Sequence, residues 1–234
     1  MGQIQPFTDQ RLAAFCAFCG GSPDSKDHVP PRIFLDLPHP ENFPVIGACI
    51  NCNRGASPDE EYVACLLEVV TCGSVDPANL RRQKIAQTLE ERPPIAARLA
   101  DSLKSSGEFL VSQEDGARLS AVLEKIARGL WAYEVGETAQ SSLATVRYAQ
   151  IAGLRADQLK AFMTLEQPDL LPEVGSRMMI QLPTATGKAE GSWIELQAGR
   201  FSYGIEVFSD GGRVKMVLGD YIAAEVTLAA SFDS

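Results

Sequence analysis

Four cysteines set the first chemical constraint. They stand as Cys16-Ala-Phe-Cys19 and Cys49-Ile-Asn-Cys52, with residues 20–48 between the pairs. Each C-x-x-C turn puts two thiolates on one side of a tight knuckle, and two such knuckles make a tetrahedral zinc site. Gly20 relieves the backbone after the first pair. Four thiolates leave no open coordination position, so Zn²⁺ held there is scaffold rather than catalyst. A redox dithiol is the weaker reading, since neither pair is expected at a strand-to-helix turn. Cys65 and Cys72 lie on a predicted helix, roughly 10 Å apart by its rise, beyond disulfide reach, and read as packed thiols. Both histidines, His28 and His39, fall in the same cysteine-bearing first third of the chain.

Between the knuckles runs Lys26-Asp27-His28-Val29-Pro30-Pro31, and the second knuckle leads directly into Asn53-Arg54-Gly55. The order C-x-x-C, Asp-His-x-x-Pro, an Asn, then C-x-x-C-Asn resembles the HNH endonucleases over roughly residues 14–72. The resemblance implies a ββα-metal fold, in which a two-stranded hairpin and a helix grip one divalent ion, and an activity that cuts phosphodiester bonds. His28 matches the general base, since an imidazole of near-neutral pKa can take a proton from the attacking water. Asp27 and Asn53 match ligands of the catalytic ion, and hard oxygen donors suit Mg²⁺ or Mn²⁺ better than a second zinc. Asn42 matches the middle asparagine, which in the family bonds across the loop and holds the base. Here Pro44 and a long spacer before Cys49 depart from the usual short strand. Basic residues are commoner in the family after the terminal ligand; Arg54 is the near candidate for a phosphate contact, and Asp59 or Glu60 offers a further carboxylate near the ion. His39 has no counterpart in the pattern and reads as a solvated loop histidine.

A competing reading makes Asp27 and His28 a hydrogen-bonded pair in a non-catalytic four-cysteine zinc module that binds nucleic acid or protein. The acid beside the histidine and the oxygen ligand just past the knuckle favour the enzyme, because a zinc scaffold requires neither.

Net charge is −9, which argues against a broad nucleic-acid-coating surface. The middle third alone lacks an acidic excess, with 12 Lys and Arg against 11 Asp and Glu over 76–165. Arg81, Arg82 and Lys84 are the first candidates there for phosphate contacts, followed by Arg118, Lys125 and Arg128. The alternative is a solvated helical surface. The expected partner is a nucleic acid, DNA before RNA. One such site cuts one strand, so duplex cleavage would need a homodimer, a partner protein or two successive nicks. No stretch approaches a membrane span and no secretory signal opens the chain, so the expected address is the cytosol. A weaker likeness, to bacterial proteins with an N-terminal HNH module, includes Lys125-Ile-Ala-Arg-Gly-Leu130 and suggests a role in defence against foreign DNA.

The elements expected to position these residues make an α+β protein: a zinc-stapled HNH domain over 1–75, a helical region over 76–166 and an antiparallel β region over 167–234. Ser57-Pro58-Asp59-Glu60 reads as a capping box that starts a helix, which ends near Gly73. Asp76-Pro77 opens a second helix, residues 93–105 a third and residues 116–136 the strongest, with Leu119, Val122, Leu123, Ile126 and Leu130 as its stripe. Residues 141–151 and 155–166 read as short helices. Period-two alternation through Phe201, Tyr203, Ile205 and Val207, and through Val214, Met216 and Leu218, predicts a meander of four or five strands, with 177–182 and 192–197 before it and 221–228 after.

Overall fold

The structure, a computed structural model, describes residues 14–104, 112–139, 143–166 and 193–229. The chain is mixed α+β. Its elements run β1 (Ser25–His28), β2 (Val45–Ala48), α1 (Ile50–Cys72), α2 (Gln83–Glu91), α3 (Pro93–Lys104) and α4 (Gln113–Glu134). Then come β3 (Ala144–Gln150), α5 (Ala156–Met163), β4 (Ile194–Gln197), β5 (Phe201–Phe208), β6 (Gly211–Leu218) and β7 (Ile222–Ala229). They divide into two compact units, Met1–Gly55 with Leu123–Ser234, and Ala56–Val122. Among the described residues no helix is long and apolar enough to cross a membrane.

In the first unit, β1 and β2 form an antiparallel hairpin that pairs Asp27 with Ile46 and His28 with Val45. The five-stranded sheet has the order β3-β7-β6-β5-β4, antiparallel throughout. Alternation sends Phe201, Tyr203, Val214, Met216, Ile222, Ala224 and Val226 to the core, all buried. Against it packs the C-terminal half of α4, where Leu130 and Trp131 are buried. Gly212 makes this possible: a Cβ there would fall 2.1 Å from Trp131 Cζ3. Tyr203 donates its hydroxyl to the buried Glu134 carboxylate at 2.6 Å, satisfying both across the same interface.

In the second unit, two guanidinium groups lie over the Tyr62 ring, Arg98 at 5.2 Å and Arg118 at 4.9 Å from its centroid. Arg98 donates to the buried Asp115 at 2.7 and 3.0 Å, and Arg118 pairs with Asp59 at 3.7 Å. Glu68, also buried, accepts the backbone N–H of Arg81 and Arg82 at 2.8 and 2.9 Å.

The structure corrects three sequence expectations. Residues 144–150 are strand, not helix: β3 pairs with β7 from Ala144↔Leu228 to Gln150↔Ile222, and Thr145, Val146 and Tyr148 are β-formers that the pairing recruits. Helix α1 begins at Ile50 rather than Ser57, with Pro58 inside it, because Asp24 Oδ1 caps the Ile50 N–H at 2.5 Å from outside the segment. The Asp76 side chain does cap, but it opens a 3-10 turn (Pro77–Asn79), and α2 starts only at Gln83. The expected end of α1 holds, with Gly73 at φ +66° and Ser74 N–H donating to the Val69 carbonyl. Residues 177–182 lie outside the described residues.

One glycine fixes how close the hairpin comes to α4. A Cβ at Gly129 would sit 2.7 Å from Val29 Cγ2 and 3.2 Å from Ile46 Cδ1. Alanine is about 1 kcal/mol better than glycine in a helix interior, but overpacking costs about 1–3 kcal/mol. Gly129→Ala is therefore expected to destabilise the protein by up to about 2 kcal/mol in denaturant unfolding. A more stable variant would show that the hairpin rides on α4 without close contact.

Candidate metal centre and the Asp27–His28 strand

The ligand atoms of Cys16, Cys19, Cys49 and Cys52 all lie within 4.8 Å of one another. Cys19 and Cys49 Sγ are 3.8 Å apart, the edge of a tetrahedron with zinc–sulfur arms of about 2.3 Å. Local backbone bonds build the first knuckle: Cys16 N–H donates to the Gly21 carbonyl at 2.6 Å, Gly20 N–H to the Cys16 carbonyl at 2.9 Å, and Gly20 turns at φ +73°. Ala17 N–H donates to Gly47 in β2 at 3.0 Å, bringing that knuckle to the hairpin. The second knuckle spans the step from β2 into the first turn of α1. It is thus a strand-to-helix turn after all. The case against a redox dithiol rests instead on all four thiols converging. Burial acts to raise the Cys16 thiol, but backbone N–H groups of Cys49, Phe18 and Cys19 outweigh it and bring it down to about 7. That favours thiolate at Cys16, the form a metal such as zinc takes, whereas burial and the neighbouring thiols push Cys52 up. Among the described residues these four are the close group of donors that can hold a metal ion.

Beside the cluster, the Asn53 amide donates to the Lys26 carbonyl at 3.0 Å and to Ser25 Oγ at 3.2 Å, holding the start of α1 against β1. Alternation along β1 directs Asp27 and His28 to opposite faces. Asp27 shares its face with its partner Ile46, the residue that meets Gly129 of α4. It is 7% exposed, and its Oδ2 lies 2.7 Å from Lys125 Nζ on α4. His28 packs its ring 5.0 Å from that of Phe43, and Arg32 Nη2 lies 2.8 Å from His28 Nε2. Burial first, then the Arg32 charge, bring the imidazole down to about 4, against a smaller upward pull from Asp27. A neutral ring whose Nε2 accepts from Arg32 carries its proton on Nδ1.

The other sequence candidates are spread more widely. Asn42 is exposed in the turn before β2, and among the described residues its side chain makes no hydrogen bond to His28. His39 lies on the same aromatic as His28, its ring 5.6 Å from Phe43. Arg54, Arg81 and Lys84 are exposed, and Arg82 is half-buried. Glu60 is buried in α1. Arg128 donates to the carbonyls of Phe18 and Ala139, so its guanidinium braces the first knuckle. Sequence reasoning missed Arg32 and Phe43 as neighbours of His28. It nominated Lys125 for phosphate rather than for Asp27. The i, i+4 spacing of His28 and Arg32 was visible, but only the 3-10 turn (Arg32–Phe34) after Pro31 brings them together.

Comparison with protein-family models, curated proteins and solved structures returned no match. The chain is thus defined by its own architecture, an α+β protein in which a knuckle before the hairpin and the start of the first long helix share a four-cysteine cluster able to hold a metal such as zinc.

The purified protein is expected to carry one zinc per chain by elemental analysis, and Cys16→Ser or Cys52→Ser to lower that stoichiometry. Structural zinc binding is worth about 10–16 kcal/mol in small modules, so losing one thiolate should also depress thermal stability by several degrees. Protein free of zinc yet equally stable would remove the cluster as a metal site.

The His28 shift also gives a pH signature. Unfolded histidine takes its proton near 6.5, whereas folded His28 resists it until about 4. The unfolded state binds more protons between those values, so His28 withdraws stability as pH falls from 6.5 towards 4 and adds no slope above that window. NMR titration should find His28 neutral at about pH 6, and Arg32→Gln should move its midpoint upward. A His28 midpoint at the ordinary value would refute the burial argument.

Proposed function

We propose that this protein is a metal-dependent endonuclease of the HNH type that hydrolyses phosphodiester bonds in DNA. The observation that carries the reading is the placement of Asp27, His28 and Asn53 on adjoining segments of one hairpin-helix unit: the Asn53 amide donates to the backbone of the strand that bears the other two, whose side chains leave that strand on opposite faces. The ββα order of β1, β2 and α1, with both C-x-x-C turns at its edge, supports it.

In this reading the cysteines hold the scaffold zinc, while the Asp27 carboxylate and the Asn53 side-chain oxygen hold Mg²⁺ or Mn²⁺. The fit of that second site rests on a buried carboxylate whose Oδ2 receives no hydrogen bond of normal angle, a donor suited to a hard cation. When bound, the ion supplies charge stabilisation at the phosphate. His28 takes the proton of the attacking water at Nε2 as the new oxygen–phosphorus bond forms and the bond to the 3′ oxygen breaks. That lone pair accepts from Arg32 in the free protein, so Arg32 must turn away, and the scissile phosphate gives its guanidinium a stronger partner. A low imidazole pKa keeps His28 unprotonated at neutral pH, while leaving it a weak base. Exposed Arg54, Arg81 and Lys84, with half-buried Arg82, contact phosphates along the duplex, and cleavage of both strands uses a homodimer or a partner. A role in defence against foreign DNA rests on the family likeness alone.

The second reading, a non-catalytic zinc module for nucleic acid or protein, draws on the cations already engaged with both chemical groups, Lys125 with Asp27 and Arg32 with His28.

Incubation of the zinc-loaded protein with supercoiled plasmid separates the two. Nicking is expected with Mg²⁺ or Mn²⁺ and not without, and His28→Ala should lower its rate at least about a hundredfold, the lower end for a general base. Unchanged zinc content and melting temperature in the variant would locate the loss in chemistry. Absence of nicking by the native protein under every metal condition would favour the binding module.

A further inference from the structure

Lys125 comes from α4, one turn before the glycine that lets this helix approach the hairpin. Its side chain is 12% exposed, its ammonium lies 5.2 Å from the centroid of the Phe18 ring, and Nζ is 2.7 Å from Asp27 Oδ2. A buried carboxylate needs a counter-charge, and here a residue far along the chain supplies it. The contact is one of charge rather than a directed hydrogen bond, since Oδ2 accepts none of normal angle. Such a partner is held by electrostatic attraction and by its stem, and an ion of higher charge can displace it. The helix itself is packed closely on the hairpin one turn further on, where Gly129 is seated against Val29 and Ile46.

We propose that Lys125 is a resident counter-ion at Asp27 that a divalent cation must displace, so that the protein itself weakens the affinity of the site it offers. This rests on the reading of Asp27 as a metal ligand. Removing the ammonium while keeping the apolar stem should strengthen cation binding, because the incoming ion no longer competes with a positive charge. A lysine that only packs or positions Asp27 would give no change, or weaker binding, so the sign of the effect carries the test.

The experiment titrates Mn²⁺ into zinc-loaded full-length protein and reads the free ion by electron paramagnetic resonance. Wild type, Lys125→Met and Asp27→Asn are compared, with Lys125→Gln as a second variant and with zinc content and melting temperature checking each fold. Lys125→Met or Lys125→Gln is expected to bind Mn²⁺ at least about tenfold more tightly than wild type, about 1.4 kcal/mol. Asp27→Asn is expected to lose this site. Equal or weaker binding in folded Lys125 variants, with binding still lost in Asp27→Asn, would overturn the proposal and leave Asp27 as a ligand. Binding unaffected by Asp27→Asn, or no Mn²⁺ held by any of the proteins, would overturn the ligand reading and the proposal with it.

Discussion

A hairpin of two four-residue strands buries too little surface to hold its own shape. Everything that the Asp27–His28 strand can do therefore depends on what clamps it from outside. Two clamps act, and they are chemically different. At one end the four thiols converge and join the segment before β1 to the start of α1. Across one face, α4 approaches closely enough that only glycine fits at 129. The first clamp is local chemistry on a knuckle and a turn; the second depends on a helix that the chain reaches only after α1, α2 and α3.

With the strand fixed, alternation separates the two chemical groups. Asp27 looks towards α4 and is nearly sealed from solvent, while His28 lies against Phe43 with Arg32 across its Nε2. Each has acquired a cation, but with different effect. Arg32 adds to burial in making a protonated His28 unfavourable, whereas Lys125 places its ammonium 2.7 Å from the buried Asp27 carboxylate. In the proposed reaction these two contacts would yield to different groups, Arg32 to the phosphate and Lys125 to the divalent ion.

Local rules determine what was legible in the sequence. The C-x-x-C spacing specified the cysteine cluster because a knuckle needs only a few residues, and the stripe of α4 was plain because it repeats every turn. The sheet strands β5, β6 and β7 announced themselves by alternation. The rest was hidden because distant residues decide it. Ile50 starts α1 because Asp24 reaches its N–H, which no capping rule applied within the helix could find. Residues 144–150 carry enough polar character to pass for a helix until β7 is placed beside them. Lys125 read as one more surface charge, since nothing near it along the chain says that Asp27 is its neighbour.

The order of strands in the sheet carries a temporal consequence. Because β7 lies between β3 and β6, β3 has no strand partner among the described residues until residues 222–229 have been made, and its pairing spans more of the sequence than any other strand pairing described. The core-facing side of α4, including Trp131 over Gly212, belongs to the same unit and waits for the same strands. Helix α4 is also what brings Lys125 and Gly129 to the hairpin. A nascent chain could fold its thiol cluster early and still lack the helix surface against which Asp27 is buried, so the strand that bears the proposed chemistry would be completed only when synthesis has passed the sheet.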